Sequence, residues 1–390
     1  MSQNIFDVII IGAGAAGLMC GAEAGKRGRN VLILEHAEKP GKKILISGGG
    51  RCNFTNLYVS PDKYISENPH FCKSALSRYT QYDFISLVSD HGIEYHEKTL
   101  GQLFCNGKSV EILNLLLSEC RKGSVQIKTN ISVTGIEFDQ EFIIRCGEET
   151  FRASKLVVAS GGKSIPKMGA TSFGYRTARQ FGHKIVEPKP GLVPLTFDGQ
   201  LKDLCGRLAG VSVFSRVSTQ KISFEENILF THRGLSGPAI LQISNYISQG
   251  EGFTLNLLPG SDPEKELSGL RNSGEIMETG TYLSAGLAKR VVAELLTINK
   301  RIKNLSDREI KAVSEIFTAW NLKMYGTEGF DKAEVTLGGV DTNEVSSKSF
   351  ESVIRPGLFF IGEVLDVTGW LGGYNFQWAW SSGYCCAQYL

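Results

Sequence analysis

The first 35 residues constrain the fold more than any other part of the chain. An apolar, β-branched run at residues 6–11 predicts a strand buried on both faces, and the sequence Gly-Ala-Gly-Ala-Ala-Gly follows it at 12–17. A small-residue segment then runs to about residue 27, a second apolar run occupies 31–34, and Glu35 ends it. Strand, glycine turn, helix, strand and acid in this order predict a Rossmann-type dinucleotide-binding unit.

Each glycine of this turn has a mechanical reason. Gly12 permits the tight turn, Gly14 lets the backbone approach a pyrophosphate, and Gly17 lets helix and strand pack closely. The free N–H groups and the dipole of the helix N-terminus favour phosphate, and Glu35 is placed to accept hydrogen bonds from an adenosine ribose. The motif fits FAD or NAD, and its N-terminal position together with a flavin-type C-terminus favours FAD. The cofactor contacts expected here are Gly12, Gly14, Ala15, Ala16, Gly17 and Glu35.

A glycine triplet at residues 48–50 lies in the next distinctive segment. Consecutive glycines lose the most backbone entropy on folding, so their retention suggests close passage of the backbone over a flat ligand, with a flexible surface loop as the alternative. Arg51 and Asn53 would offer donors to that ligand, and Lys43 could meet a phosphate. Cys52 is interpreted as a packed, inert thiol. The cofactor contacts expected in this segment are Lys43, Ser47, Gly48, Gly49, Gly50, Arg51 and Asn53.

These two segments, together with residues 159–169, 231–238, 336–340 and 362–383, resemble the BaiN-type flavoproteins, also called the aminoacetone-oxidase-like FAD-binding family. The resemblance covers most of the chain and implies non-covalently bound FAD. The family includes members that resemble an enone-type reductase and an aminoacetone oxidase. It therefore indicates the cofactor better than the reaction.

The resemblance also extends the expected cofactor site beyond the N-terminal segments. A β-meander would touch the adenine near Val133, and Ser160 stands where flavoproteins commonly carry threonine. Glu363, at a strand end, would hold a ribityl hydroxyl, and N–H groups at Gly372 and Gly373 would face the flavin pyrimidine edge. The further contacts expected are Val133, Ser160, Gly161, Gly162, Gly362, Glu363, Gly372, Gly373, Tyr374 and Asn375.

The predicted fold class is α/β: a Rossmann-like, two-dinucleotide-type FAD-binding domain with an inserted β-rich, barrel-like module and a small helical subdomain. Both chain ends form the FAD-binding domain, as residues 1–190 and 326–390. The β-rich module would occupy 191–260 and the helical subdomain 261–325. A meander of four short strands, at 125–127, 131–138, 142–146 and 151–152, would precede a separate buried strand at 155–159.

The composition of the chain indicates which kinds of partner are not expected and which cellular compartment is favoured. With 42 Lys and Arg against 40 Asp and Glu, the net charge of +2 predicts neither a nucleic-acid partner nor a membrane partner. No apolar run approaches the roughly 18 residues of a transmembrane helix. The nine cysteines are scattered without a CxxC pair or metal-ligand spacing, which favours reduced thiols, no metal and a cytoplasmic location. The oligomeric state stays open.

The favoured function is an FAD-dependent oxidoreductase that acts on a small organic substrate at one flavin face. It would be an NAD(P)H-dependent reductase of an activated C=C bond or, alternatively, an O2-using amine oxidase; an RNA-modifying flavoenzyme ranks below both. The chain has no second strand–GxGxxG–helix unit, so NAD(P)H would dock only transiently. The candidates for a catalytic role are Arg51, His232 and Tyr374, and none of them identifies a general base.

Overall fold

Two distant stretches of the chain build one compact unit in the computed structural model, which describes residues 4–390. Unit 1 contains the chain up to Pro190 together with Val335–Leu390, and unit 2 contains Gly191–Glu334. The return of the C-terminal stretch to unit 1 is the arrangement that a domain built from both chain ends requires. The division of the chain into four segments stays a prediction.

The strands are β1 (Ile5–Ile11), β2 (Val31–Leu34), β3 (Asn53–Asn56), β4 (Tyr64–Ile65), β5 (Tyr95–Glu97), β6 (Gln102–Cys105), β7 (Gln126–Lys128), β8 (Gly135–Asp139), β9 (Glu141–Cys146), β10 (Glu149–Val158), β11 (Ile185–Gly191), β12 (Leu195–Thr196), β13 (Ser212–Ser218), β14 (Ser223–Phe230), β15 (Gly234–Ser236), β16 (Gly252–Asn256), β17 (Trp320–Lys323), β18 (Gly326–Thr327), β19 (Val335–Val340), β20 (Leu358–Phe360) and β21 (Thr368–Gly369). The helices are α1 (Ala15–Lys26), α2 (Lys42–Ile46), α3 (Lys73–Arg78), α4 (Gln81–Asp90), α5 (Val110–Lys122), α6 (Phe173–Gln180), α7 (Gly199–Arg207), α8 (Pro238–Ile243), α9 (Pro263–Asn272), α10 (Thr279–Leu283), α11 (Lys289–Leu295), α12 (Asp307–Thr318) and α13 (Tyr374–Ala387).

The main sheet of unit 1 has a parallel core in the order β7, β2, β1, β10, β20. Every residue of β2 and of β20 is buried, as expected for strands that are covered on both faces. Because parallel strands point the same way, β1, β2, β10 and β20 all end at one edge of the sheet. The segments that follow these strands carry the glycine turn, Glu35, Ser160 and Glu363.

The prediction of two separate strands around residue 153 is wrong, because β10 is continuous from Glu149 to Val158. Its first half pairs with β9 in antiparallel fashion, and its last three residues pair with β20 in parallel. The polar residues that suggested a break are accommodated within the strand. The Ser154 hydroxyl donates to Asp7 O at 2.9 Å, and Lys155 Nζ donates to Tyr389 O at 2.7 Å.

The strand predicted at 125–127 also has a different place from the one expected. It forms as β7 and pairs in parallel with β2, at the edge of the Rossmann sheet, so it is not part of the antiparallel meander. The meander consists of β8, β9 and the first half of β10. A three-residue strand has too few positions for alternation to distinguish these two arrangements, and the pairing depends on the distant β2.

A buried carboxylate joins helices α1 and α5 of unit 1 and the residue that follows α4. Glu119 on α5 accepts hydrogen bonds from Lys122 at 2.6 Å and from His91 at 2.8 Å, and it also pairs with Lys26 on α1. Burial alone would raise the pKa of Glu119, but these three partners outweigh burial and lower the pKa to about 2. The cluster therefore ties α1 to α5 at neutral pH.

Unit 2 is organised by an antiparallel sheet in the order β17, β16, β13, β14, β15, β12, β18. Strands β16 and β17 are neighbours in the sheet, although helices α9 to α12 separate them along the chain. The helical segment is therefore an excursion between two adjacent strands. The predicted domain boundary at 325/326 falls between two strands of this sheet, since β17 precedes it and β18 follows it.

Two further features concern the described chain as a whole. Between residues 4 and 390, no helix is long and apolar enough to cross a membrane. The same residues contain no group of three or more His, Cys, Asp or Glu side chains arranged to hold a metal ion.

The structure predicts that the nine cysteine thiols of the native protein are unreactive. All nine are free and buried, and burial raises the pKa of the Cys52 thiol to about 12 and that of Cys385 to about 11. Because the thiolate is the reactive form, a disulfide reagent at pH 8 should modify the thiols of the native protein very slowly. In denaturant the same reagent should modify all nine thiols. Fast labelling of Cys52 in the native state, located by peptide mass spectrometry, would contradict this assignment.

Candidate cofactor site

The glycine turn after β1 passes directly beside the end of β10. Gly12 has φ +109°, and a Cβ at this position would lie 2.5 Å from Ala159 O, so only glycine fits. A Cβ on Gly17 would lie 1.9 Å from Gly12 O, which shows how tightly α1 packs on the turn. Gly14 differs from both, because no atom of residues 4–390 lies within 4 Å of its Cβ position. The turn and packing roles of Gly12 and Gly17 are thus visible, and Gly14 leaves open space.

The N-terminus of α1 offers backbone donors that protein side chains leave free. Gly14 occupies the N-cap position without a side-chain cap, and no acidic residue stands in the first turn, which begins at Ala15 and Ala16. Unpaired N–H groups and the positive end of the helix dipole make such a terminus suitable for an anion. With the open space at Gly14, this geometry fits the pyrophosphate of a dinucleotide.

Glu35 fixes the neighbouring part of the edge. Its carboxylate accepts hydrogen bonds from Ala13 N at 2.9 Å and from Ala37 N at 2.8 Å, one on each oxygen. A carboxylate has about four acceptor positions, so capacity remains for a ribose hydroxyl. The Glu35 carbonyl accepts from Ile131 N at 2.9 Å, which holds the segment that carries Val133 close to this acid.

Glu363 lies at the centre of a hydrogen-bond network. Its carboxylate accepts from Lys43 Nζ at 2.9 Å, from Thr336 N at 2.9 Å and from the Ser164 hydroxyl at 3.1 Å. A Cβ on Gly162 would lie 3.1 Å from Glu363 Oε1, so the loop after β10 passes close to the same acid. Four chain segments therefore meet at this carboxylate, and the predicted contact with a ribityl hydroxyl would add a further partner.

Ser164 and Thr336 are site residues that the sequence reasoning missed. Both side chains are fully buried, and Thr336 Oγ1 accepts from Lys163 N at 2.8 Å and from Ser164 N at 3.1 Å. Their positions carry the only signal in the sequence, because Ser164 follows Gly162 by two residues and Thr336 is the first residue of the segment 336–340, which shares the family resemblance. Nothing in the local sequence pairs them with Lys43 and Glu363.

The glycine triplet forms an open left-handed loop. Gly48, Gly49 and Gly50 have φ values of +57°, +65° and +88°. Within the described part of the chain, no atom lies within 4 Å of the Cβ positions of Gly49 and Gly50. The Ser47 hydroxyl fixes the start of the loop by donating to Ile44 O at 2.7 Å. Arg51, at its end, is exposed, and its side chain makes no hydrogen bond or ion pair with the described residues.

The strand after this loop meets the start of α13. The Asn53 amide lies between Gly373 N, from which its oxygen can accept at 3.2 Å, and the carbonyls of Thr55 and Leu103. Asn56 Nδ2 donates to Gly372 O at 2.8 Å. Gly373 is the N-cap of α13, so the positive end of this helix dipole lies at the same place. The structure thus brings Asn53, Gly372 and Gly373 together.

Two further predicted cofactor contacts, Ser160 and Asn375, have side chains that lie against other parts of the protein. The Ser160 hydroxyl is buried against Gly174 and has no hydrogen-bond partner among residues 4–390. The Asn375 side chain accepts from Gly369 N and donates to the carbonyls of Gly369 and Trp370, so it braces the loop before α13. Whether either side chain contacts a cofactor stays a prediction.

The remaining catalytic candidates differ in their exposure. Tyr374 is buried, and its ring packs edge-on against Tyr64 with a centroid distance of 6.2 Å. His232 lies in unit 2, in an exposed turn between β14 and β15. The Tyr374 environment is that of a core side chain, while a catalytic role for Arg51, His232 or Tyr374 stays a prediction.

A model of the HI0933-like protein Rossmann domain family matches residues 6–389. Two relatives carry the name ribosomal RNA dihydrouridine synthase. The one from Escherichia coli (strain K12) is 51% identical over 99% of this chain and 98% of its own length, and the one from Haemophilus influenzae is 47% identical over 97% of each. A 3-dehydro-bile acid delta(4,6)-reductase from Clostridium scindens is 31% identical over 97% of each chain.

Among solved structures, the 3-ketosteroid-delta4-(5alpha)-dehydrogenase from Rhodococcus jostii RHA1 has a TM-score of 0.50 at 14% identity, covering 98% of this chain and 97% of its own. At this identity the likeness shows the fold alone. The comparisons confirm the family resemblance, the α/β FAD-binding fold and an FAD-dependent oxidoreductase. The prediction that nucleic acid is not a partner is wrong, because the names of two nearly full-length relatives specify ribosomal RNA.

The geometry at Gly14 predicts that a single methyl group would impair FAD binding without unfolding the protein. Gly14 has φ −83° and open space at its Cβ position, so Gly14→Ala should fold normally and obstruct only the approach of a ligand. We expect at least about a tenfold loss of FAD affinity, measured by flavin fluorescence titration of deflavinated protein. Gly269→Ala in α9, also at an open position, is the matched control and should bind FAD normally. Unchanged FAD affinity in Gly14→Ala would contradict the assignment of the pyrophosphate to this turn.

Proposed function

This chain belongs to the HI0933-like family, and from that premise we propose that it reduces uridine in ribosomal RNA to dihydrouridine with FAD as its cofactor. The observation that carries the proposal is the near-complete match to two relatives named for this activity. The candidate site adds support, because the N-termini of α1 and α13 and an open glycine loop suit a dinucleotide with a flat ring.

The proposed reaction belongs to the chemistry that the sequence analysis favoured. The C5=C6 bond of uracil is conjugated with the C4 carbonyl, which makes it an activated double bond. Its reduction requires a hydride at C6, which reduced FAD supplies when bound, and a proton at C5. With NAD(P)H as the proposed electron donor, uridine, NAD(P)H and one proton give dihydrouridine and NAD(P)⁺.

The residues of the chain would bind and orient the reactants. The N-terminus of α1 would hold the pyrophosphate, and Glu35 would hold the adenosine ribose. The hydrogen bonds of Glu363 fix the chain segments that carry Lys43, Ser164 and Thr336 relative to one another. The positive end of the α13 dipole, at Gly373, would stabilise negative charge at the pyrimidine edge of the flavin. Gly49 and Gly50 leave a surface without side chains, which a planar ring could approach.

A second candidate is the reduction of a conjugated C=C bond in a small organic molecule. It is favoured by the match to the bile acid reductase, which spans nearly the whole chain at lower identity than the two RNA-named relatives. The amine oxidase alternative rests on the family resemblance alone.

The test supplies FAD-loaded protein with NADH or NADPH and with ribosomal RNA from a strain that lacks this gene. The proposal predicts dihydrouridine in the digested RNA, detected by nucleoside mass spectrometry, and none with Gly14→Ala protein that lacks FAD. Reduction of a conjugated 3-oxo bile acid without any dihydrouridine would favour the second candidate. An FAD-loaded protein that oxidises NAD(P)H but leaves both acceptors unchanged would contradict both.

A further inference from the structure

One stretch of unit 1 has a strong local excess of positive charge. Residues 150–186 contain seven Lys and Arg and no Asp or Glu, although the whole chain is nearly balanced with 42 against 40. The segment includes the end of β10, the loop after it and helix α6. A net charge of +2 for the chain therefore conceals a cationic region.

Three of these cations are exposed around α6. Lys167 lies in the turn Pro166–Met168 before the helix, and Arg176 and Arg179 lie on the helix itself. Arg176 and Arg179 are three residues apart and therefore project from the same side of α6. The opposite side, which includes Tyr175 and Ala178, is buried. We call Lys167, Arg176 and Arg179 the α6 surface.

None of these three side chains makes an ion pair or hydrogen bond within the described part of the chain. The acids of neighbouring segments have other partners: Glu137 pairs with Arg145 at 2.9 Å, and Glu363 pairs with Lys43 at 2.9 Å. Glu344 accepts from the backbone N–H of Lys184 at 2.8 Å. Lys184 is left out of the α6 surface because it lies beyond the end of the helix at Gln180. The three cations therefore remain available to an external anion.

The α6 surface begins at the edge that carries the candidate cofactor site. Ser160 follows the end of β10, and a Cβ on Gly174 in α6 would lie only 2.3 Å from Ser160 Oγ. The first turn of α6 thus packs on the loop that leads to Gly161 and Gly162. A long polyanion bound along α6 would pass beside this edge.

We propose that the α6 surface binds the phosphate backbone of the ribosomal RNA substrate, an inference that rests on the proposed function. Cations that contact phosphates release condensed counterions, and such contacts position an RNA without reading its sequence. Each cation then contributes to the salt dependence of binding, so the proposal makes a quantitative statement about salt as well as affinity.

The experiment compares wild-type FAD-loaded protein with the triple variant Lys167→Gln, Arg176→Gln, Arg179→Gln. Binding to a labelled fragment of ribosomal RNA is measured by filter binding at several salt concentrations. The matched control is Lys289→Gln, Lys303→Gln, Arg308→Gln. These three cations of unit 2 are also exposed, and their side chains have no ion pair or hydrogen bond with residues 4–390, but Glu294, Asp307 and Glu309 lie in the same stretch of chain.

The proposal predicts that the α6 variant binds RNA at least about tenfold more weakly and that its slope of log affinity against log salt falls by roughly 2 to 3. FAD content should be unchanged in both variants, and the control should bind RNA like the wild type. Loss of FAD from the α6 variant would overturn the assignment, because the cations would then serve the cofactor. An equal loss of RNA affinity in the control would also overturn it.

Failure of the surface and failure of the function have different signatures. One outcome is that the wild type binds RNA and forms dihydrouridine while the α6 variant keeps the same RNA affinity and the same salt dependence. That result would contradict the RNA-binding role of the α6 surface and leave the proposed function intact. If the wild type neither binds nor modifies ribosomal RNA, the proposed function fails and the surface loses its partner. Binding of the α6 surface to vesicles of anionic phospholipid, with no effect of the variant on RNA, would likewise overturn the proposal.

Discussion

The passage of the glycine turn beneath the end of β10 is the contact on which the candidate site depends. At Gly12 the backbone lies so close to Ala159 O that no side chain fits, and Gly17 brings α1 equally close to the turn. The Glu35 carboxylate then accepts from Ala13 N and holds the turn against the end of β2. These contacts fix the N-terminus of α1 at the carboxyl edge of the sheet, where open α/β folds bind their ligands.

The C-terminal stretch completes the same edge. Gly362 N donates to the Ser382 hydroxyl at 3.1 Å, and Trp378 Nε1 donates to Gly362 O at 3.1 Å, so α13 holds the loop that carries Glu363. A Cβ on Gly383 would lie 2.6 Å from Ala16 O, which places α13 directly against α1. Helix α13 therefore links α1 to the Glu363 network and, through the hydrogen bond from Trp380 Nε1 to Phe54 O, to the strand that follows the glycine loop.

The parts of this account that were predictable from sequence are those whose signal is local. The strand, turn, helix and acid of residues 6–35 can be recognised within one short stretch of sequence. The resemblance to flavoproteins extends the predicted site to Glu363 and Gly373. The ion pair between Lys43 and Glu363 joins residues far apart in the chain, so no window contains it. The continuity of β10 was missed because hydrogen bonds of Ser154 and Lys155 to distant carbonyls compensate for their polarity. The nucleic-acid prediction was wrong because it relied on net charge, which averages over the chain and does not register a local excess of cations such as that at 150–186.

The most direct test of the central claim is a single turnover without oxygen. FAD-loaded protein is photoreduced anaerobically and mixed with ribosomal RNA that lacks dihydrouridine, while absorbance is followed at about 450 nm, where oxidised flavins absorb. The account predicts that the absorbance returns before any air is admitted, with about one dihydrouridine formed per flavin reoxidised, whichever nicotinamide serves in the cell. A flavin that stays reduced in the presence of the RNA and recovers only in air would contradict the account.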